Sequence, residues 1–201
     1  TMRISGGLKS NVQIDQSSLE GYVVGDHLLF QNQTTEYALD TMAIYATISP
    51  TTSSFSYYSD DGKANLVSNF DIRDAGEVIQ EWPGNLFITS DQKNFSEGNR
   101  TVRFNIDLEN AIPFQLLGID VEDFSSLGAT GTLDEENQTW ALQATSGNLK
   151  AYGISLDTLS TVITAHKDSV NATLQIENLF YKTTELGKLE VDMFASGDTT
   201  T

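Results

Sequence analysis

The chain has no cysteine among its 201 residues, which excludes disulfide frameworks, zinc knuckles and thiol nucleophiles at the outset. That suits a cytosolic or Gram-negative periplasmic protein better than a disulfide-rich secreted one. Imidazoles are almost as scarce, with only His27 and His166 present. Neither sits in a motif, and each lies beside turn-forming residues, Gly25-Asp26 and Lys167-Asp168, so both read as exposed. Gly-x-Ser-x-Gly, Walker A, dinucleotide and His-Glu-x-x-His signatures are absent. With no nucleophile, base and orienting group to assemble, the chain reads as non-enzymatic, with no catalytic residue, cofactor or metal.

Basic side chains are few, 11 against 28 acidic ones, for a net charge of -17. Such a field repels phosphate backbones, so nucleic acid is excluded as a partner, and it fits a solvated outer sheet face. No apolar run reaches the length of a transmembrane helix, and the start, Thr1-Met2-Arg3-Ile4-Ser5-Gly6-Gly7, is no signal peptide. No stretch is rich enough in Pro, Gly or charge to mark a domain boundary. The chain therefore reads as one β-rich segment over 1–201, and both ends read as cut from a longer repetitive β protein, since residues 8–15 are already strand-like.

What the chain has in abundance is two-residue alternation. In residues 101–109, Val102, Phe104, Ile106 and Leu108 alternate with Thr101, Arg103, Asn105, Asp107 and Glu109. Successive strand side chains point to opposite faces, so this segment has one dry face and one wet one. Met42, Ile44, Ala46 and Ile48 repeat the pattern, as do Trp140, Leu142 and Ala144, then Val170, Ala172, Leu174 and Ile176, and finally Leu189, Val191 and Met193. Leu66 and Phe70 fall on an alternating return strand at 64–70. The pattern predicts a mostly antiparallel sheet whose dry face gathers Ile44, Ile48, Leu66, Phe70, Val102, Phe104, Ile106, Leu108, Trp140, Leu142, Leu174 and Ile176.

A weak internal repeat aligns Leu39-Asp40-Thr41-Met42 with Leu156-Asp157-Thr158-Leu159, giving copies at 28–71 and 149–180, each opening on a short strand and a turn. Two segments break the strand pattern. Residues 71–84 carry Ile72, Ala75, Val78, Ile79 and Trp82 at helical spacing with Pro83-Gly84 as a stop, and residues 110–118 have Pro113 near the start and Gly118 at the end. Polar loops are expected at 50–54, 60–62, 91–99 and 134–137.

Acidic clusters at Asp60/Asp61, Asp120/Glu122/Asp123 and Asp134/Glu135/Glu136 are the metal candidates, but all fall where turns collect Asp, and none has EF-hand spacing. Sequons at Asn32, Asn94, Asn99, Asn137 and Asn171 arise readily in an Asn- and Thr-rich composition. Phe55, Tyr57 and Tyr58 beside Asp60-Asp61, and Phe180-Tyr181, are the aromatic clusters to weigh for carbohydrate binding, with residues 53–61 as a recognition loop.

The succession of strand, Asn/Gly turn, Leu-Asp-Thr step, strand, Asp-containing turn and return strand resembles that of the AsmA-like and TamB-like envelope proteins, most of all the long TamB homologues of Bacteroidota. Residues 28–70 running into 71–82 carry the likeness, as do Ile112-Pro113-Phe114-Gln115-Leu116-Leu117-Gly118-Ile119 ahead of 127–133 and 139–148, and residues 149–179. The resemblance implies a long twisted antiparallel sheet folded into an open groove, a β-taco, apolar inside and polar outside. It also implies a periplasmic protein anchored in the inner membrane, linked to phospholipid movement toward the outer membrane and to outer-membrane protein assembly, and without catalytic residues. In such proteins a C-terminal region meets an outer-membrane barrel partner; neither that region nor the anchor is among these residues.

The expected fold is thus all-β, an elongated twisted antiparallel sheet with one or two short helices. An open groove would sheathe phospholipid acyl chains through repetition alone, without motifs. A closed β-sandwich shows the same alternation, and would make the protein a binding module for glycan or protein at the cell surface.

Overall fold

The computed structural model describes residues 3–31, 36–74, 99–111, 121–166 and 169–196. The strands are β1 (Arg3–Ile14), β2 (Leu19–Gln31), β3 (Glu36–Ser49), β4 (Thr52–Ser59), β5 (Gly62–Ser68), β6 (Thr101–Leu108), β7 (Val121–Asp123), β8 (Ser126–Asp134), β9 (Thr139–Ala151), β10 (Ile154–His166), β11 (Ser169–Tyr181) and β12 (Thr184–Ser196). A 3-10 turn, Ile72–Asp74, follows β5. It stands at the start of the helix expected over 71–84; the rest of that helix, and the turn expected at 112–117, lie outside the described residues.

All strands belong to one antiparallel sheet in the order β1-β2-β3-β4-β5-β6-β8-β9-β10-β11-β12, with β7 paired to β9 off this path. Apart from β7, each strand therefore lies beside its neighbours in the chain, most of them joined by short polar connections. Tyr152-Gly153 shows the local chemistry: both residues have positive φ, 52° and 73°, as a two-residue type I′ hairpin requires. Eleven strands lie on the main path, all neighbours antiparallel, so β1 and β12 run in the same direction and are not paired with each other. The sheet is curved and open, not a barrel, and the closed sandwich is set aside because one unbroken sheet takes up every strand among the described residues.

The loop expected at 50–54 is shorter than the sequence suggested, since β4 begins at Thr52 and Ser53 is 1% exposed within it. Residues 53–61 are thus mostly strand, not a recognition loop. The short strands expected at 28–30 and 149–152 are likewise the far ends of the 13-residue strands β2 and β9, with Tyr152 in the turn that follows.

Those far ends reveal a phase slip that crosses the sheet. In β2 the inward residues are odd-numbered up to Val23 and Gly25, then even at Leu28 and Phe30; in β10 they are even at Leu156, then odd at Leu159, Ile163 and Ala165. The slipped positions His27 and Asn148 adopt left-handed φ of 47° each, and Asn178 in β11 has φ 48°. His27 stands at the gap in the ladder opposite Asp40, and Asn148 at the gap opposite Asp157. Both Leu-Asp-Thr tripeptides therefore mark the same device, a paired slip that keeps leucines inward on each side of it. Asn tolerates this conformation better than most residues, which suits it to two of the three sites.

Side-chain oxygens hold the slip. Asp60 accepts from the Asp40 and Thr41 amides at 2.7 and 3.0 Å and from the Thr41 hydroxyl at 2.7 Å. These hydrogen bonds, led by the Thr41 hydroxyl, pull the Asp60 carboxyl below its ordinary pKa. In the second tripeptide, Asn178 Nδ2 donates to Asp157 Oδ2 at 2.6 Å.

Candidate functional site

Cross-strand pairing settles which residues share the dry face, because directly opposed residues point the same way. Through Ile106 runs a row of Val23, Ile44, Tyr57, Ala64, Ile106, Ala129, Ala144, Thr161, Leu174 and Val191. The Phe104 row joins Phe55, Leu66, Phe104, Gly131, Leu142, Ile163 and Met193. Leu108 shares a row with Met42, Leu127, Ser146, Leu159, Ile176 and Leu189, and Val102 with Ile48, Leu133, Trp140, Ala165 and Val170. Every residue expected on the dry face lies in one of these four rows except Phe70.

Phe70 follows the end of β5 yet reaches the same face. It is 7% exposed and clusters with Leu133, Ala165 and Val170, against which Val102, Trp140 and Ile163 pack. Two buried serines aim it there. Ser53 and Ser68 both donate their hydroxyls to the Phe70 carbonyl, at 3.0 and 2.8 Å, and the Ile72 amide donates to Ser53 Oγ at 3.0 Å. Next to them Asp71 grips Arg73 through Nε and Nη2, and Arg73 Nη2 reaches the Ser17 carbonyl at 3.2 Å. The arginine's hydrogen bonds draw the Asp71 carboxyl below its ordinary range.

At the other end, beyond the slip, Leu28, Phe30, Leu39, Met42, Tyr57, Leu108, Ala111 and Phe124 form the larger cluster, all between 1% and 5% exposed. A flat single sheet leaves its faces in water, so burial this deep needs cover. Ala111, after β6, and Phe124, after β7, pack into this cluster alongside the strand residues. Sequence reading missed Leu28, Leu39, Phe124 and the serines; the change of parity at His27 was the available signal for the leucines.

The face dries unevenly. Near the centre Gly131 makes room for Phe104, and at the open edges the inward residues stay in water: Leu8 is 54% exposed and Val12 48% on β1, Leu189 38%, Val191 43% and Met193 43% on β12. On the opposite face Arg103, Asn105 and Asp107 point outward as their phase requires, and Tyr58, Val67, Val162 and Phe194 are exposed there as well.

The candidate chemical groups are dispersed. His27 Nδ1 lies 2.9 Å from Asp26 Oδ1 with both side chains largely in solvent, and His166 ends β10. Glu135 is engaged with Arg100, whose Nε donates to it at 2.7 Å, and Asp134 accepts from the Asn137 amide and side chain at 3.0 and 2.8 Å. Asp60 is committed to β3, and Asp120 lies outside the described residues. Among the described residues no three acidic or histidine side chains are grouped to hold a metal ion, and no helix is long and apolar enough to cross a membrane. Comparison with models of known protein families, with curated proteins and with solved structures finds no match.

Proposed function

We propose that this chain is a non-catalytic periplasmic segment of a TamB-like protein, whose apolar sheet face shelters or conducts phospholipid acyl chains between the inner and outer membranes in support of outer-membrane biogenesis. The observation that supports this most is the union of two features: four largely apolar rows crossing the strands in register, and edges, left unpaired among the described residues, whose inward side chains remain 38–54% exposed. A face built to close on itself would bury those residues. An acyl chain laid along the rows gains about 0.8 kcal/mol per methylene removed from water and asks for no specific contact. Repetition is therefore the whole requirement. The strand grammar shared with TamB-like proteins favours the same reading.

Photo-crosslinking tests it. A crosslinking amino acid at Leu142, on the dry face, is expected to yield phospholipid adducts in cells, whereas the same group at Gln143, on the wet face of the same strand, yields none. Equal labelling at both positions, or none at either, would remove the groove reading.

A further inference from the structure

The wet face carries a second feature that the groove does not use. Tyr22 of β2 and Tyr45 of β3 are directly opposed, their ring centroids 6.3 Å apart and tilted by 39°. They remain 41% and 48% exposed. Asn11 of β1 extends their row on one side and Ser56 of β4 on the other, and the adjacent row supplies Gln13, Glu20, Thr47 and Ser54. Together these eight residues line a shallow concavity of about 330 Å³.

We propose that this dish is a binding site for a neutral saccharide. Two aromatic rings at an exposed surface present π faces to the apolar C–H face of a sugar, while the surrounding amides, hydroxyls and carboxylate match its hydroxyl groups. Among the described residues none of the polar side chains of the dish hydrogen-bonds within the protein. The other tyrosines of β3 and β4 differ: Tyr58 donates its hydroxyl to Asn65 Oδ1 at 3.1 Å, Tyr37, at the far end of β3, accepts from Asn110 Nδ2 at 2.6 Å, and Tyr57 is buried. The dish contains no cationic side chain and has Glu20 in its wall, on a chain of net charge -17, so anionic sugars and phosphates are disfavoured. Its volume lies at the small end of ligand sites, suited to one or two sugar rings. Because the site is on the face opposite the groove, it stands independently of the lipid reading.

Binding of cellopentaose, chitopentaose and maltopentaose, followed by saturation-transfer NMR and calorimetry, is the test. At least one is expected to bind, with Tyr22→Ala and Tyr45→Ala each weakening it about tenfold or more, equivalent to ~1.4 kcal/mol. Tyr58→Ala, on the same face but outside the dish, leaves the affinity within about twofold. Asn11→Ala on the exposed edge strand provides a variant that spares the ring pair, and is expected to weaken binding about threefold with an unchanged melting temperature. No binding of any of the three at about 10 mM overturns the proposal. So does binding unaffected by all three dish substitutions, and so does occupation of the dish by a decaproline peptide in place of sugars.

Discussion

The ring of Phe104 lies over Gly131, so closely that a Cβ at position 131 would stand 2.3 Å from Phe104 Cε1 and 2.4 Å from Cζ. The two residues face each other across β6 and β8 in the central row of the dry face. The glycine thus leaves the space that the ring occupies. Gly131→Val is expected to force the ring off its present rotamer and to lower stability by about 1–3 kcal/mol, the usual range for overpacking. Urea denaturation checks this, and Phe104→Ala in the Gly131→Val background is expected to relieve part of the strain through non-additivity.

Asn178 holds a left-handed φ of 48° and donates to Asp157 at 2.6 Å, so it contributes both backbone tolerance and a hydrogen bond to the second slip. The contributions separate by substitution. Asn178→Gly keeps the conformation and loses the bond, and is expected to cost about 0.5–1.5 kcal/mol. Asn178→Val loses both and is expected to cost about 1–2 kcal/mol more, since a β-branched residue is strained in the left-handed region. Equal melting curves for the two variants would show that the backbone conformation carries no weight.

Asp60 ties the first slip by accepting three hydrogen bonds as a carboxylate, which lowers its pKa below the ordinary 3.8. For a carboxylate whose folded pKa is depressed, the stabilisation is fully present above the unfolded value and is lost as pH falls through the folded one. The difference in melting temperature between the wild type and Asp60→Asn is therefore expected to be constant at neutral pH and to shrink below about pH 4. Asp71 and Asp134 are shifted the same way, by Arg73 and by Asn137, so acid weakens the fold at three sites in the same window. A difference that grows on acidification would contradict the assignment.

The dry face was legible in the sequence because a period of two is a geometric property of strands: Val102 to Leu108 could face one way only, and Leu142 or Leu174 follow by the same logic. Three things were hidden for physical reasons. The slip at His27 and Asn148 changes the parity of the inward residues within one strand, so residues 28–30 and 149–152 look like separate elements. Ser53, Ser68 and Ser146 read as polar, and they are buried only because each hydroxyl finds a carbonyl, Phe70 for the first two and Ser126 for the third. The Tyr22–Tyr45 dish depends on the pairing of β2 with β3, a register that neither strand encodes alone.

The groove itself is tested by charge. Ile106 lies mid-strand, half-buried, in phase with Phe104 and Leu108, so Ile106→Asp puts an unpaired carboxylate into the middle of the dry face. That carries a desolvation cost whether or not lipid is present. Val191 separates the two effects, because it sits in the same cross-strand row, on the edge strand β12, and is already 43% exposed. Val191→Asp is expected to leave the melting temperature within about 2 °C of the wild type, as for a surface substitution of ±0.5 kcal/mol. It is also expected to reduce copurifying phospholipid, measured by mass spectrometry of extracts, at least about threefold, since a charge on the rim makes the acyl path costly to enter. Ile106→Asp should remove lipid more completely and lower stability as well. Should the wild type carry no phospholipid while Ile106→Asp unfolds outright, the apolar rows would be serving as an internal core, and the edges left open at β1 and β12 would need another occupant.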